Sequence, residues 1–360
     1  MNKLLLLIQF FTLIFLLIFR SNLSAQNYPP VLDKSTLKGG KGIIFPNIDL
    51  EGSNSYGNDV NFIGDINNDG LEDIAISSDY AVIDGNDFTG KVYVVFGTED
   101  EFDDTFDLNN LNGDNGFVVE GIAEDERRGG INAGVGDING DGIDDVIIGS
   151  DQSSQNVIVL YGRSSFPALI ESSDIDGNNG FVITFSGSNS VAGLGDVNGD
   201  GINDFIIGTP HWSGRARIVF GRTNNFPIEI DESYLDGTKG FSTTSFPASR
   251  ASYIVGGAGD INNDGINDIL IGSWNTHSSG PDEEKISYAL FGKNEPFDPL
   301  IEITDVDGSD GFSIDNRDNS FITHLRGIGD INGDGIDDCF SENNVIFGSN
   351  DPFPSALLRS

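Results

Sequence analysis

The chain has 360 residues, with 57 Asp and Glu against 19 Lys and Arg, a formal charge of −38 and a pI near 4.1. That balance excludes nucleic acid as a partner, because phosphate binding needs clustered Lys and Arg, and it argues against an anionic membrane surface. With 38% hydrophobic and 10% aromatic residues the chain can build a core, and its single cysteine, Cys339, excludes an intramolecular disulfide.

Residues 1–25 have the pattern of a secretory leader. Lys3 supplies the positive start, Leu4–Phe19 is apolar apart from Gln9 and Thr12, and Leu23-Ser24-Ala25 offers a small residue at the cut. Sixteen apolar-rich residues are short for a membrane span, which needs about 20. Cleavage removes Lys3 and Arg20 and leaves 17 basic against 57 acidic residues, a charge of −40. The one Asn-x-Ser/Thr sequon, Asn22-Leu23-Ser24, lies inside the leader. The expected product is secreted or at the cell surface, without a membrane span after cleavage. A linker over 26–36 follows.

From residue 37 to 348 the chain repeats itself, and self-similarity decides the fold before any single element does. Five acidic segments share one pattern, Gly64–Asp73, Gly136–Asp145, Gly195–Asp204, Gly259–Asp268 and Gly329–Asp338, with their first Asp residues 72, 59, 64 and 70 apart. Each is followed by a short run, Ile74–Ile76, Val146–Ile148, Phe205–Ile207, Ile269–Ile271 or Cys339–Phe340. A β-rich stretch then ends in an aromatic residue and Gly: Val92–Gly97, Val157–Gly162, Ala216–Gly221, Ile286–Gly292 and Val345–Gly348. A Gly-Phe strand closes the first four units at Gly116, Gly180, Gly240 and Gly311, and Gly42–Phe45 resembles it. Consecutive apolar positions after the acidic segment predict a strand buried on both faces. Four strands per unit predict an all-β β-propeller of four-stranded blades with five repeats visible. Gly42–Phe45 and Val345–Gly348 are able to share a blade, giving a closed five-bladed ring. The tail over 349–360 carries Phe353-Pro354, which repeats Phe166-Pro167 and Phe226-Pro227; on that reading the chain is part of a longer ring.

Each acidic segment carries oxygen ligands at odd positions. They are Asp65, Asn67, Asp69 and Asp73; Asp137, Asn139, Asp141 and Asp145; Asp196, Asn198, Asp200 and Asp204; Asp260, Asn262, Asp264 and Asp268; and Asp330, Asn332, Asp334 and Asp338. The carbonyls of Leu71, Ile143, Ile202, Ile266 and Ile336 complete the sets, and Gly at the sixth position permits the sharp turn. All-oxygen hard ligands select Ca2+, about five ions in all. An EF-hand carries Glu at position 12, but Ile76, Ile148, Ile207, Ile271 and Ser341 stand there, so the Asp at position 9 must close each set. Cys339 takes the place of Ile74, Val146, Phe205 and Ile269, which predicts a buried, inert thiol.

These residues give the chain its resemblance: it is similar to the FG-GAP repeat of integrin α-subunit propellers. Phe96-Gly97, Phe220-Gly221, Phe291-Gly292 and Phe347-Gly348 match the first half of that name, with Tyr161-Gly162 as a variant. The second half is degraded to Gly149-Ser150, Gly208-Thr209-Pro210 and Gly272-Ser273. The resemblance implies a propeller with Ca2+ in the loop between first and second strands, and usually seven blades, which would make the longer ring a seven-bladed ring.

Alternate loops fall on opposite faces, so the loops joining second and third strands lie away from the acidic segments. They carry Tyr80, His211, Trp212, Trp274 and His277, which are candidates for binding an extracellular protein or a glycan. The three His residues, His211, His277 and His324, have no zinc or triad spacing. The expected function is therefore a non-catalytic, calcium-binding recognition or adhesion module. The alternatives are a propeller-type enzyme acting on polysaccharide and a purely structural surface protein.

Overall fold

The computed structural model describes residues 42–45, 59–100, 102–150, 156–185, 190–209, 215–244, 250–274, 285–316 and 324–357. The leader expected over 1–25 lies outside them. Two compact units divide the chain, one of residues 1–46 with 100–106 and one of 47–99 with 107–360.

In the larger unit every acidic segment leads out of one strand and into the next. Repeat one gives β1 (Val60–Gly64), β2 (Asp73–Ser78), β3 (Lys91–Val95) and β4 (Gly116–Glu120). Repeat two gives β5 (Arg128–Gly136), β6 (Asp145–Ser150), β7 (Val157–Leu160), a short β8 (Leu169–Glu171) and β9 (Gly180–Ile183). Repeat three supplies β10 (Ser190–Gly195), β11 (Asp204–Gly208), β12 (Ala216–Val219), β13 (Glu229–Ile230) and β14 (Gly240–Thr243). Repeat four supplies β15 (Arg250–Gly259), β16 (Asp268–Trp274), β17 (Lys285–Leu290), β18 (Leu300–Ile301) and β19 (Gly311–Asp315). Repeat five has β20 (Leu325–Gly329), β21 (Asp338–Ser341), β22 (Asn344–Ile346) and β23 (Ala356–Leu357).

The fold is all-β, with four-stranded sheets repeating along the chain as the blades of an FG-GAP propeller do. Each of the first four sheets is an antiparallel meander, and each gains a fifth, parallel strand from the repeat that follows. Val118 to Glu120 pair with Leu169 to Glu171, and β13, β18 and β23 join β9, β14 and β19 in the same way. The repeat pattern predicts four strands and misses this one. Ala356 and Leu357 of the tail therefore belong to the fourth sheet. In the smaller unit Ile44 makes one parallel bridge with Thr105, the same relationship between a Gly-x-x-Phe segment and the chain after an aromatic-Gly pair.

The second strands are buried along their length, β6 and β11 entirely so, because apolar side chains on both faces meet a neighbouring sheet. Four apolar clusters fill the space between successive sheets, each drawing on two adjacent repeats. First strands approach one another closely at glycine: a Cβ on Gly134 would lie 2.7 Å from Ile63 Cα, and one on Gly193 would lie 2.8 Å from Gly134 O. The third strands end before their aromatic-Gly pairs rather than through them, since those glycine N–H groups turn away to bond an aspartate. In the fifth repeat Ser341 replaces an apolar residue, and it is buried and bonded to Ser287 Oγ at 3.1 Å, with Asn316 Nδ2 donating to both hydroxyls. Cys339 is fully buried, and burial foremost, with Asp268 and Asp338 nearby, pushes its thiol up to about 12.

Candidate functional site: five acidic loops

Each acidic loop is organised by its first aspartate. Asp65 Oδ1 accepts the Asp69 N–H at 2.9 Å and Oδ2 accepts the Gly70 N–H at 2.7 Å. Asp137, Asp196, Asp260 and Asp330 repeat the arrangement. Asn67 Oδ1 then accepts the Asp69 N–H, and Asp69 Oδ1 accepts the Leu71 N–H, each at 2.9 Å. The turn is possible because Gly70, Gly142, Gly201, Gly265 and Gly335 all sit at φ between 86° and 91°, a region that a Cβ disfavours. Loop chemistry is thus local: short polar side chains fold back on the backbone.

The closing aspartate works differently. Asp73, Asp145, Asp204, Asp268 and Asp338 are fully buried at the start of the second strands. In Asp145, Oδ2 accepts the Ile138 N–H at 3.0 Å and Oδ1 accepts the Gly162 N–H at 2.8 Å. The same pair of bonds recurs in every repeat, to the second loop residue and to the glycine of the aromatic-Gly pair. That glycine is therefore selected by its N–H and by close contact: a Cβ on Gly162 would lie 2.2 Å from Asp144 O.

Four of these buried carboxylates, Asp73, Asp145, Asp204 and Asp268, resist ionisation. Burial above all pushes Asp73 up to about 7 and Asp145, Asp204 and Asp268 up to about 8; the two backbone N–H bonds oppose the rise, and the other two aspartates of each set, such as Asp65 and Asp69 beside Asp73, add to it. The ion pairs among the described residues are Arg128–Glu126, Arg217–Glu232 and Lys239–Asp236, and no loop carboxylate belongs to them. The residues able to hold a cation are those of the sequence pattern, hard oxygens on one loop with a buried carboxyl group behind them. Their carboxylates are turned toward backbone N–H groups, and among the described residues no three His, Cys, Asp or Glu side chains converge to hold an ion. An N–H bond leaves each carboxylate oxygen a second lone pair.

Successive loops are tied together. Asp65 N donates to Asp144 Oδ2 at 2.9 Å, and Asp260 N donates to Asp337 Oδ2 at 3.0 Å. Arg163, Arg222, Lys293 and Ser349 donate their N–H groups to the carbonyls of Ile66, Ile138, Val197 and Ile261 in the preceding loop, at 2.8 to 3.0 Å.

Of the residues proposed for the opposite face, His211, Trp212 and His277 lie outside the described residues. Trp274 ends β16, in register with Arg250 and Lys285. Tyr80 is half-buried, edge-on to Phe88 at 5.6 Å, with the Arg127 guanidinium 5.0 Å from its ring centre. His324 is exposed just before β20, its N–H bonded to Glu342 Oε1 at 2.9 Å. Two features escape the sequence pattern. Glu126 and Arg128 form a buried pair, with Arg128 Nε donating at 3.0 Å, and nothing in the repeat marks it. The Phe-Pro segments hold stacked rings, and their recurrence in the sequence is the signal for that.

A sequence model of the FG-GAP repeat matches residues 62–95, 129–161 and 188–224, in the first three repeats. Integrin alpha pat-2 of Caenorhabditis elegans is 24% identical over 293 residues, covering 72% of this chain and 22% of that protein. A phosphatidylinositol-glycan-specific phospholipase D of Dictyostelium discoideum is 26% identical over 278 residues, 68% of this chain and 27% of that protein. Integrin alpha-2 of Bos taurus is 31% identical over 103 residues, 28% of this chain and 8% of that protein. The match thus spans less than a third of the length of each relative. Among the described residues no helix is long and apolar enough to cross a membrane. With five acidic loops closed by a buried aspartate and an aromatic-Gly pair, this chain carries FG-GAP repeats and is distantly similar to integrin α subunits.

Proposed function

We propose that the chain is an exported, non-catalytic repeat protein, stabilised by Ca2+ in its five loops, that recognises a protein or glycan outside the cell. One observation carries the reading: in every repeat a fully buried aspartate stands behind two more carboxylates, with no basic partner among the described residues. Holding three carboxylates close together, one of them in the interior, without a countercharge is costly, and a divalent cation offsets it. In the first loop Asp65, Asn67, Asp69, the Leu71 carbonyl and Asp73 hold the ion, and the other four loops use their equivalents. Its role is structural: five ions offset ten of the negative charges and fix the turns from which the second strands start. Export and a recognition role are supported by the leader pattern and by the likeness to integrin α subunits.

A second reading, an enzyme, is favoured by the relative named a phospholipase D. Screening polysaccharides and glycan-linked lipids for new reducing ends, unsaturated ends or released headgroups separates the two. The primary test is calorimetry on chelator-treated protein. Uptake of Ca2+ and a rise in Tm are expected, each site adding about 2.7 kcal/mol when the ion is at ~100 times its Kd. The absence of both a binding heat and a shift in Tm overturns the reading.

A further inference from the structure

Repeats invite comparison of like positions, and one of them reverses the charge of the chain. Four positions flank the connection from third to fourth strand: the residue after the aromatic-Gly pair, the last residue of a short 3-10 turn, and the two residues before the Gly-Phe strand. Repeat one has Thr98, Asn110, Asp114 and Asn115 there, a formal −1; repeat two has Arg163, Asp174, Asn178 and Asn179, formally neutral. Repeat four has Lys293, Asp305, Ser309 and Asp310, again −1. Repeat three has Arg222, Tyr234, Thr238 and Lys239, a formal +2 in a chain of −38.

The substitution gives up a local bond. Asn115, Asn179 and Asp310 each accept a backbone N–H across the turn, at 3.0, 3.0 and 3.2 Å. Lys239 has no acceptor to offer. Its ammonium pairs with Asp236 and sits 5.5 Å from the centre of the Tyr234 ring. Arg222 Nη1 donates to Tyr234 Oη at 3.3 Å. These side chains line an open groove of about 470 Å3, shared with Thr223, Asn224 and Asp200. That volume is in the range of small-molecule sites, roughly 300–1,000 Å3. The groove lies beside the third acidic loop, whose Asp200 and Ile202 line it.

We propose that this groove binds a carboxylated sugar, a uronic acid unit of an extracellular polysaccharide. Arg222 and Lys239 receive the carboxylate, the Tyr234 ring walls the sugar's C–H face, and Thr223, Asn224 and Asp200 exchange hydrogen bonds with its hydroxyls. The acceptor Asp200 and the uncharged donors favour a polyhydroxy ligand over a bare carboxylate of an acidic peptide. The proposal rests on the recognition reading and names a ligand class for it.

The test is titration calorimetry of the full chain in Ca2+ with a uronic acid tetramer, the same tetramer reduced to alcohols at its carboxyls, and hexaglutamate. The acid tetramer is expected to bind. Reduction of its carboxyls, Lys239→Asn and Tyr234→Asp are each expected to weaken binding at least about tenfold, the scale of a lost charge-assisted bond. Both substitutions install the residue type of repeat two, so Tm should hold or rise for Lys239→Asn. Equal affinity for the reduced tetramer, or an unchanged Lys239→Asn affinity, overturns the proposal. Hexaglutamate binding without tetramer binding overturns the sugar assignment in favour of an acidic peptide. If tetramer binding is absent while Ca2+ still raises Tm and another glycan or protein is captured, the groove fails and the broader reading survives.

Discussion

Phe166 lies flat on Phe117, ring centroids 4.4 Å apart and planes 9° apart, although the two rings belong to different repeats. Phe226 on Phe181, Phe297 on Phe241 and Phe353 on Phe312 repeat the stack at 4.4 to 4.5 Å. Above three of them sits a cation, Arg163, Arg222 or Lys293, 4.8 to 5.9 Å from the ring centre. Each stack fastens one sheet to the segment that supplies its parallel edge strand. Phe166→Ala is expected to cost about 3–5 kcal/mol, as for a buried aromatic. Urea denaturation checks it.

Asp145→Asn keeps the volume and one acceptor but not both. The amide oxygen can take the Ile138 or the Gly162 N–H, and the other donor is left buried and unpaired, at a cost of about 1–3 kcal/mol. This loss should be visible in chelator. In excess Ca2+ the variant should lose, in addition, the increment of one site, about 2.7 kcal/mol at ~100 times Kd. Melting curves with and without chelator separate the two terms.

The pH dependence of the chelated protein follows from the raised carboxyls. Asp73 titrates at about 7 and Asp145, Asp204 and Asp268 at about 8 in the fold, against an ordinary 3.8. The folded state then binds protons that the unfolded chain has released, so their contribution is whole below about pH 4 and is lost as pH rises through 7 to 8. Without metal, Tm should fall between pH 5 and 9, and Asp145→Asn should flatten that slope. Ca2+ should raise Tm strongly above about pH 7 and little near pH 5, where protons compete for the same oxygens.

Glu126 carries the opposite sign. Burial alone would raise its carboxyl, but Arg128 and the N–H groups of Ile122 and Ala123 outweigh it and hold the group below its ordinary value. Its contribution is present above about pH 4.5 and is lost as pH falls. Glu126→Gln leaves the buried Arg128 charge uncompensated and should cost about 3–5 kcal/mol, with Glu126→Gln/Arg128→Met recovering much of it. Denaturant titrations at pH 7 check both variants.

The loops were almost fully legible in the sequence, because Asp, Asn and Gly at fixed spacing dictate a turn by local bonds alone. The second strands were legible for a similar reason: runs such as Val146–Ile148 have only one way to be buried on both faces. What escaped is non-local. The edge strand Leu169–Glu171 alternates exposed and buried residues over three positions, too short for a periodicity, and its partner lies one repeat back. The bonds from Gly162 to Asp145 explain why the aromatic-Gly pair recurs, yet the pair alone suggests only a strand end. Glu126–Arg128 has no counterpart in the other repeats, so self-similarity is blind to it.

Because each of the first four sheets borrows its outermost strand from downstream, the module that repeats in the sequence is out of phase with the module that folds. A cut at the sequence boundary near Gly121 would strip the first blade of β8 and of the Phe166 ring, whereas a cut after the 3-10 turn of residues 172–174 would keep both. Engineering by adding or deleting repeats should therefore take its joints there, inside the textual unit, so that each excised piece carries its neighbour's hem.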